Sequence, residues 1–200
     1  MSEAFEHHEK AHEAAHGHHS SNRRIGLMIA ILAALLAIAE AAGKSAQTEA
    51  LNRNIEAANF WAFFQAKTIR MTTMRTAGEA AKLELSADLP QAQRDAIQKQ
   101  IDVWAQTALR YDTEPETQEG RKELAARAKQ AEAVRDHSLA AYHMYEYASA
   151  AFQIAIVLAS ATVITGFLPL AWLSGALGVA GVAISLLGWL APTALHLGGH

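Results

Sequence analysis

Three long apolar runs constrain this sequence more than any other feature. They cover residues 25–42, 148–167 and 170–191, and Glu40 is the single charged side chain within them. An α-helix rises 1.5 Å per residue, so each run is about long enough to cross the roughly 30 Å hydrocarbon layer of a bilayer. Glu40 lies within one turn of the end of its run, where its carboxylate can reach the headgroups. The sequence therefore predicts an all-α integral membrane protein with three transmembrane helices.

The segment between the first two runs has the opposite character. Residues 43–147 carry 14 Lys or Arg and 15 Asp or Glu. Both ends of this segment meet the membrane on the same side, so it has to rise from the bilayer and return as a helical hairpin or bundle. The predicted organisation is a histidine-rich tail (1–24), transmembrane helix 1 (25–42), a helical stalk (43–147), a transmembrane hairpin (148–191) and a short tail (192–200).

Local signals divide the stalk into three helices. A helix start is expected near Pro90, because Ser86 or Asp88 can cap it and proline fits the first turn. This second helix carries a strict 4,3,4,3 apolar seam, which requires a partner helix. The seam consists of Ile97, Ile101, Trp104, Ala108 and Tyr111. After a turn that contains Pro115, a third helix is predicted to start at about Glu116.

An aromatic segment, residues 59–67, stands out on the first stalk helix. Its candidate interaction residues are Phe60, Trp61, Phe63, Phe64, Gln65 and Lys67. Four aromatic rings cover more of the helix circumference than one buried face uses, which favours a surface for another chain. The alternative is that all four rings lie in the core of the stalk, opposite the alanine-rich residues 125–133. Both interpretations stay open at this point.

Small residues repeat at helical spacing in two of the apolar runs. The last run has a 4,3,4,3 stripe that consists of Ser174, Gly178, Gly181, Ser185 and Gly188. The first run has a similar stripe of alanines at positions 30, 34, 37 and 41. Small side chains let membrane helices approach closely, so these stripes predict tight helix packing, either within the chain or between copies of it.

The only obvious cluster of candidate metal ligands in the sequence lies in the N-terminal tail. If the tail is helical, His8, His12 and His16 share one face, and imidazoles four residues apart can bind Zn, Ni or Cu ions. The alternative is a flexible tail without a metal, since neither a further ligand nor a supporting hydrogen bond can be inferred. No other cofactor is predicted.

Several classes of function are disfavoured. The formal net charge is -3 and the basic residues alternate with acidic ones, which is not typical of nucleic-acid binding. The chain has no cysteine, so thiol catalysis and cysteine zinc sites are excluded. Neither a serine nucleophile motif nor a glycine-rich phosphate loop is found, and we expect neither an enzyme nor a small-molecule substrate.

Residues 34–76 resemble the bacterial membrane proteins grouped as domain of unknown function 4337. The resemblance depends on the alanine-rich run, on Thr48 to Leu51 with Ile55, Glu56 and Ala57, and above all on the sequence from Trp61 to Lys67. It implies a helical membrane architecture in the bacterial inner membrane and no known activity. Arg23 and Arg24 favour a cytoplasmic N-terminus, although basic residues on the other side nearly balance them.

These observations lead to two functional hypotheses. The first is a noncatalytic membrane scaffold that contacts lipid, associates with copies of itself and displays the aromatic segment. The second is a metal-binding or metal-transfer membrane protein that uses the N-terminal histidines.

Overall fold

A computed structural model of the chain describes the backbone of residues 2–86 and 88–194 and the side chains of residues 23–86 and 88–194. It contains four α-helices. They are α1 (Ser2–Glu84), α2 (Gln91–Asp112), α3 (Arg121–Thr165) and α4 (Pro169–Leu190). The described residues include no β-strand, which confirms the all-α prediction.

The helix boundaries agree with the sequence signals in one place and differ in another. Helix α2 begins at Gln91, directly after Pro90, so the predicted start near Pro90 is confirmed. The predicted cap is wrong, because Pro90 itself is the N-cap residue and no side chain caps the helix. Helix α3 begins at Arg121, so the start predicted at about Glu116 is wrong. Gln118 has a left-handed backbone with φ of 58°, which a right-handed helix cannot contain. A Cβ at Gly120 would lie 2.8 Å from the Cα of Thr113, so only glycine fits under the folded-back loop.

The chain divides into two compact units. One consists of Met1–Glu49 and His137–His200, and the other of Ala50–Asp136. Helices α1 and α3 contribute residues to both units, α4 belongs to the first and α2 to the second.

In the first unit, α4 packs through its small residues against α1 and α3. The buried core consists of Leu32, Ala39, Ala148, Phe152 and Ala155. A Cβ on Gly178 would lie 2.7 Å from Cδ2 of Leu32, and one on Gly181 would lie 2.7 Å from the Phe152 ring. Ser174 donates a 2.7 Å hydrogen bond to the Ala155 carbonyl. This stripe therefore packs within the chain, with Ser185 half-buried.

In the part of the chain that the structure describes, three helices are long enough and apolar enough to cross a membrane. The segments that qualify lie in Arg23–Glu84, Arg121–Thr165 and Pro169–Leu190. Their outward sides carry large apolar side chains, such as Ile38 and Val157. Trp172 and Trp189 are exposed near the two ends of α4.

In the second unit, α2 turns its predicted seam inward. Ile101 and Ala108 are buried, and Ile97, Trp104 and Tyr111 are half-buried. The other helices contribute mainly small residues to this core. Its buried apolar members on α1 and α3 are Ala50, Ala57, Met71, Leu124, Ala128 and Ala131.

Candidate functional site: the two sides of helix α1

The aromatic segment turns three of its rings toward α3. Arg127 stacks over Phe60 with 4.2 Å between the guanidinium carbon and the ring centroid, and Arg121 lies 5.2 Å from the centre of Phe64. The rings of Trp61 and Phe64 meet edge to face at 5.5 Å. A cation over an aromatic face is held by the ring quadrupole, so the arginines of α3 fix the register of these two helices in this unit.

Trp61 adds a directional contact to this packing. Its indole Nε1 donates a 2.8 Å hydrogen bond to the Glu132 carboxylate on α3. Buried or half-buried tryptophans need such an acceptor for the indole N–H. Glu132 lies within the alanine-rich residues 125–133 of α3, and Ala128 and Ala131 of that segment are buried in the same unit.

Lys67 is the one buried basic residue among the described side chains, with 7% of its surface exposed. Its Nζ lies 5.3 Å from the Tyr111 ring centre and 5.6 Å from that of Phe63. The carboxylates of Glu114 and Glu119 lie 3.6 Å and 4.0 Å from Nζ. These distances exceed those of charged hydrogen bonds, so Coulombic attraction and the two rings hold the ammonium. Lys67 thereby ties α1 to the loop between α2 and α3.

Asp112, the last residue of α2, connects the start of that loop to α3. Lys122 hydrogen-bonds to its carboxylate with Nζ 3.0 Å from Oδ2, and this bond is the main reason why the pKa of Asp112 lies below its ordinary value of 3.8. The positive charges of Lys122, Arg121 and Arg75 lower the pKa further, while burial acts against them.

Replacing Asp112 by asparagine is expected to lower stability at neutral pH. A carboxylate with a depressed folded-state pKa stabilises the fold above its unfolded pKa, and this contribution disappears as the pH falls through the folded-state value. The difference in melting temperature between wild type and Asp112→Asn should therefore narrow below pH 3.8. Asp136→Asn, at an exposed position on α3, serves as the control and should show a smaller difference. If the difference in melting temperature between wild type and Asp112→Asn did not change with pH, the stabilising role of the Asp112 carboxylate would be contradicted.

The opposite side of α1 carries a second seam, made of uncharged residues, which we call the outer seam. Its positions follow strict 4,3 spacing, and every one of them is exposed. They are Leu51, Ile55, Ala58, Ala62, Gln65, Ile69, Thr72 and Thr76. Leu51 and Ile55 are each 59% exposed and Ile69 is 67% exposed. The Thr72 hydroxyl donates to the Thr68 carbonyl on its own helix, which leaves its methyl group for packing.

The same sequence register continues toward the N-terminus of α1. Counting back from Leu51 in steps of three and four gives Thr48 and Lys44 and then the alanines at 41, 37, 34 and 30. These alanines are exposed in the first unit. The two predicted small-residue stripes thus differ: the stripe of α4 packs within the chain and the stripe of α1 does not.

The structure separates the predicted interaction residues into two groups. Phe60, Trp61, Phe64 and Lys67 contact other helices or loops of the same chain, as described above. Gln65 is exposed and Phe63 is 39% exposed. An interaction surface on this segment stays a prediction, and it is reduced to these two residues and the outer seam.

The predicted metal ligands His8, His12 and His16 lie outside the residues whose side chains the structure describes. Among the described side chains, no group of three or more histidine, aspartate or glutamate residues is placed to hold a metal ion. Sequence reasoning did not identify Arg121 and Arg127 as partners of the aromatic segment. The sequence signal that could have identified these two arginines is the alternation of basic and small residues on α3.

Comparisons with known proteins give one match. The sequence profile of a domain of unknown function, DUF4337, matches residues 21–191, which include the apolar part of α1 and all of α2, α3 and α4. No curated protein matches the chain. No solved structure matches it either.

Proposed function

The chain belongs to the DUF4337 family, whose function is unassigned, and we propose that it is a noncatalytic, self-associating scaffold of the bacterial inner membrane. In this proposal the apolar parts of α1, α3 and α4 cross the bilayer, and residues 43–147 form a helical stalk on its outer side. Arg23 and Arg24 support a cytoplasmic N-terminus, because basic residues near membrane helices favour that side.

The observation that carries the proposal is the outer seam of α1. Eight uncharged positions in unbroken 4,3 spacing on the exposed side of a helix are typical of a coiled-coil surface. Large exposed apolar side chains on a water-facing helix indicate a contact with another molecule. The inner side of α1 already has its partners within the chain, so the outer seam is left for a second molecule.

A second copy of the same chain fits this seam. Two copies inserted in the membrane with the same topology hold their α1 helices parallel, so each seam residue meets its own counterpart across a twofold axis. In heptad terms, Ile55 and Ile69 fall at a positions and Leu51 at a d position, which are the residue types that two-stranded coiled coils prefer there, while Ala58 and Ala62 let the two helices approach closely. Gln65 at a d position can hydrogen-bond to its counterpart and so fix the register.

In the first unit, the exposed alanines of α1 offer a contact of their own between copies of the chain. Lipid chains are as apolar as alanine, so association there depends on close packing rather than on the hydrophobic effect. The positions 30, 34, 37 and 41 let two α1 backbones approach closely.

Cysteine cross-linking tests the dimer directly, because the natural chain has no cysteine to interfere. Ala58→Cys should form an intermolecular disulfide in native membranes, since parallel pairing places the two Cβ atoms within bonding range. Lys129→Cys, exposed on α3, should not cross-link under the same oxidant. Monomeric protein from Ala58→Cys together with a monomeric mass in detergent for the wild type would refute self-association.

The same cysteine reports the sidedness. An impermeant maleimide added to intact spheroplasts should block cross-linking of Ala58→Cys if the stalk lies outside the cytoplasm. If the maleimide blocked cross-linking only after the spheroplasts had been broken, the stalk would lie inside the cell and the proposed orientation would be reversed.

A further inference from the structure

A groove runs along the first unit between α1 and α4. Its volume is about 410 Å³, and it is open along one side. The α1 wall includes Leu27, Ile31 and Leu35, and the α4 wall includes Gly175, Val179 and Val182. These six residues are apolar, and the groove has one charged lining residue, Arg24.

Glycines on α4 give the groove its depth. At Gly178 the helices touch, since a Cβ there would lie 2.7 Å from Leu32. At Gly175 a Cβ would meet no heavy atom within 4 Å, so open space replaces the side chain that another residue would place there. The groove is therefore a concave strip beside a tight helix contact, and a larger residue at position 175 would fill it.

The dimensions of the groove match one leaflet of a bilayer. Eleven residues separate Arg24 from Leu35, which corresponds to about 16 Å along α1. Half of the hydrocarbon layer is roughly 15 Å thick. An acyl chain that lies along the groove from Leu35 would bring its headgroup to the level of Arg24.

Arg24 gives the open end of the groove a preference for negative charge. Its guanidinium carries a positive charge and can donate two parallel hydrogen bonds to a phosphate. Arg23 is exposed as well but does not line the groove. Basic residues beside apolar grooves between membrane helices are suited to anionic lipid headgroups.

We propose that this groove binds an anionic glycerophospholipid, with one acyl chain between α1 and α4 and its phosphate on Arg24. The inference rests on the proposed function in one respect, namely that α1 and α4 cross the bilayer. It goes beyond it by assigning a specific lipid class to a specific cleft.

Native mass spectrometry of the full-length protein in mild detergent tests the headgroup contact. Phosphatidylglycerol and phosphatidylcholine with identical acyl chains are added in competition. Wild type should retain phosphatidylglycerol roughly fivefold better, the factor expected for one arginine at a membrane surface. Arg24→Gln should bind both lipids equally, whereas Arg23→Gln should keep the preference. Equal retention of the two lipids by the wild type, or equal effects of the two substitutions, would overturn the proposal.

A second pair of variants tests the acyl groove. Gly175→Leu should reduce the retention of both lipids because the new side chain occupies the groove. Gly26→Leu adds the same side chain at another position with nothing within 4 Å, outside the groove, and should retain lipid as the wild type does. Undiminished binding by Gly175→Leu would overturn the groove assignment.

Membrane extraction separates this inference from the scaffold proposal. If alkaline carbonate releases the chain from membranes, both the transmembrane arrangement and the lipid site are wrong. If the chain resists carbonate and Ala58→Cys cross-links while the two lipids bind equally, the lipid site alone is wrong.

Discussion

Lys67→Glu is expected to destabilise the second unit by about 3 kcal/mol, the lower end of the cost of breaking a buried ion pair. The substitution puts a carboxylate beside Glu114 and Glu119 in a site where the lysine side chain is 8% exposed. The lower end applies because the Glu119 side chain is 51% exposed and solvent screens part of the repulsion. The free energy of unfolding in detergent, measured by denaturant titration with circular dichroism, gives the value.

Two further variants isolate the role of charge at this position. Lys67→Met keeps an apolar stem against Phe63 and Tyr111 and removes the charge, so its loss should be about 1 kcal/mol. Lys129→Glu makes the same charge change at an exposed position on α3 and should have a small effect. If Lys67→Met unfolded with the same free energy as the wild type, packing of the stem rather than the charge would hold this loop.

Gly181→Leu is expected to displace α4 from α3 and to cost about 3 kcal/mol, the upper end for overpacking a core. A Cβ at position 181 would lie 2.7 Å, 2.9 Å and 3.0 Å from three atoms of the Phe152 ring. That ring is 1% exposed and has nowhere to move. Thermal unfolding in detergent measures the loss, and Gly26→Leu, in open space, should unfold near the wild-type temperature.

A double-mutant cycle shows whether the Phe152 ring is the obstacle. Gly181→Ala alone introduces the clash, and Phe152→Leu alone leaves a partly empty site. Combined, the smaller side chain at 152 makes room for the added methyl, so the double variant should be more stable than the sum of the single effects predicts. Additive losses would mean that other atoms limit the approach of α4.

Sequence periodicity was sufficient to predict the helices and the inward side of α2. Pro90 marked the start of α2, and the five residues of its seam are all buried or half-buried. The start of α3 was missed because Glu116 and its neighbours have acceptable helix propensity. What excludes them is the fold of the loop: the left-handed Gln118 and the close approach of the chain at Gly120 depend on contacts that no local pattern encodes.

Periodicity could not predict which sides of the helices are covered. The alanine stripe of α1 and the glycine stripe of α4 have the same spacing, yet the first is exposed and the second buried. Spacing specifies which residues share one side of a helix, while coverage depends on which other helix lies there. Phe60 and Phe64 illustrate the same limit, since their cationic partners Arg127 and Arg121 are distant in sequence.

If α4 crosses the bilayer as proposed, its two exposed tryptophans set a length scale for the surrounding lipid. Trp172 and Trp189 are seventeen residues apart, or about 26 Å along the helix, slightly less than the roughly 30 Å hydrocarbon layer. Indole rings settle at the level of the headgroups. In the proposed transmembrane arrangement, a helix packed against two neighbours cannot tilt freely to relieve hydrophobic mismatch, so we expect the bilayer to thin around it and the protein to be favoured in thinner regions of a membrane.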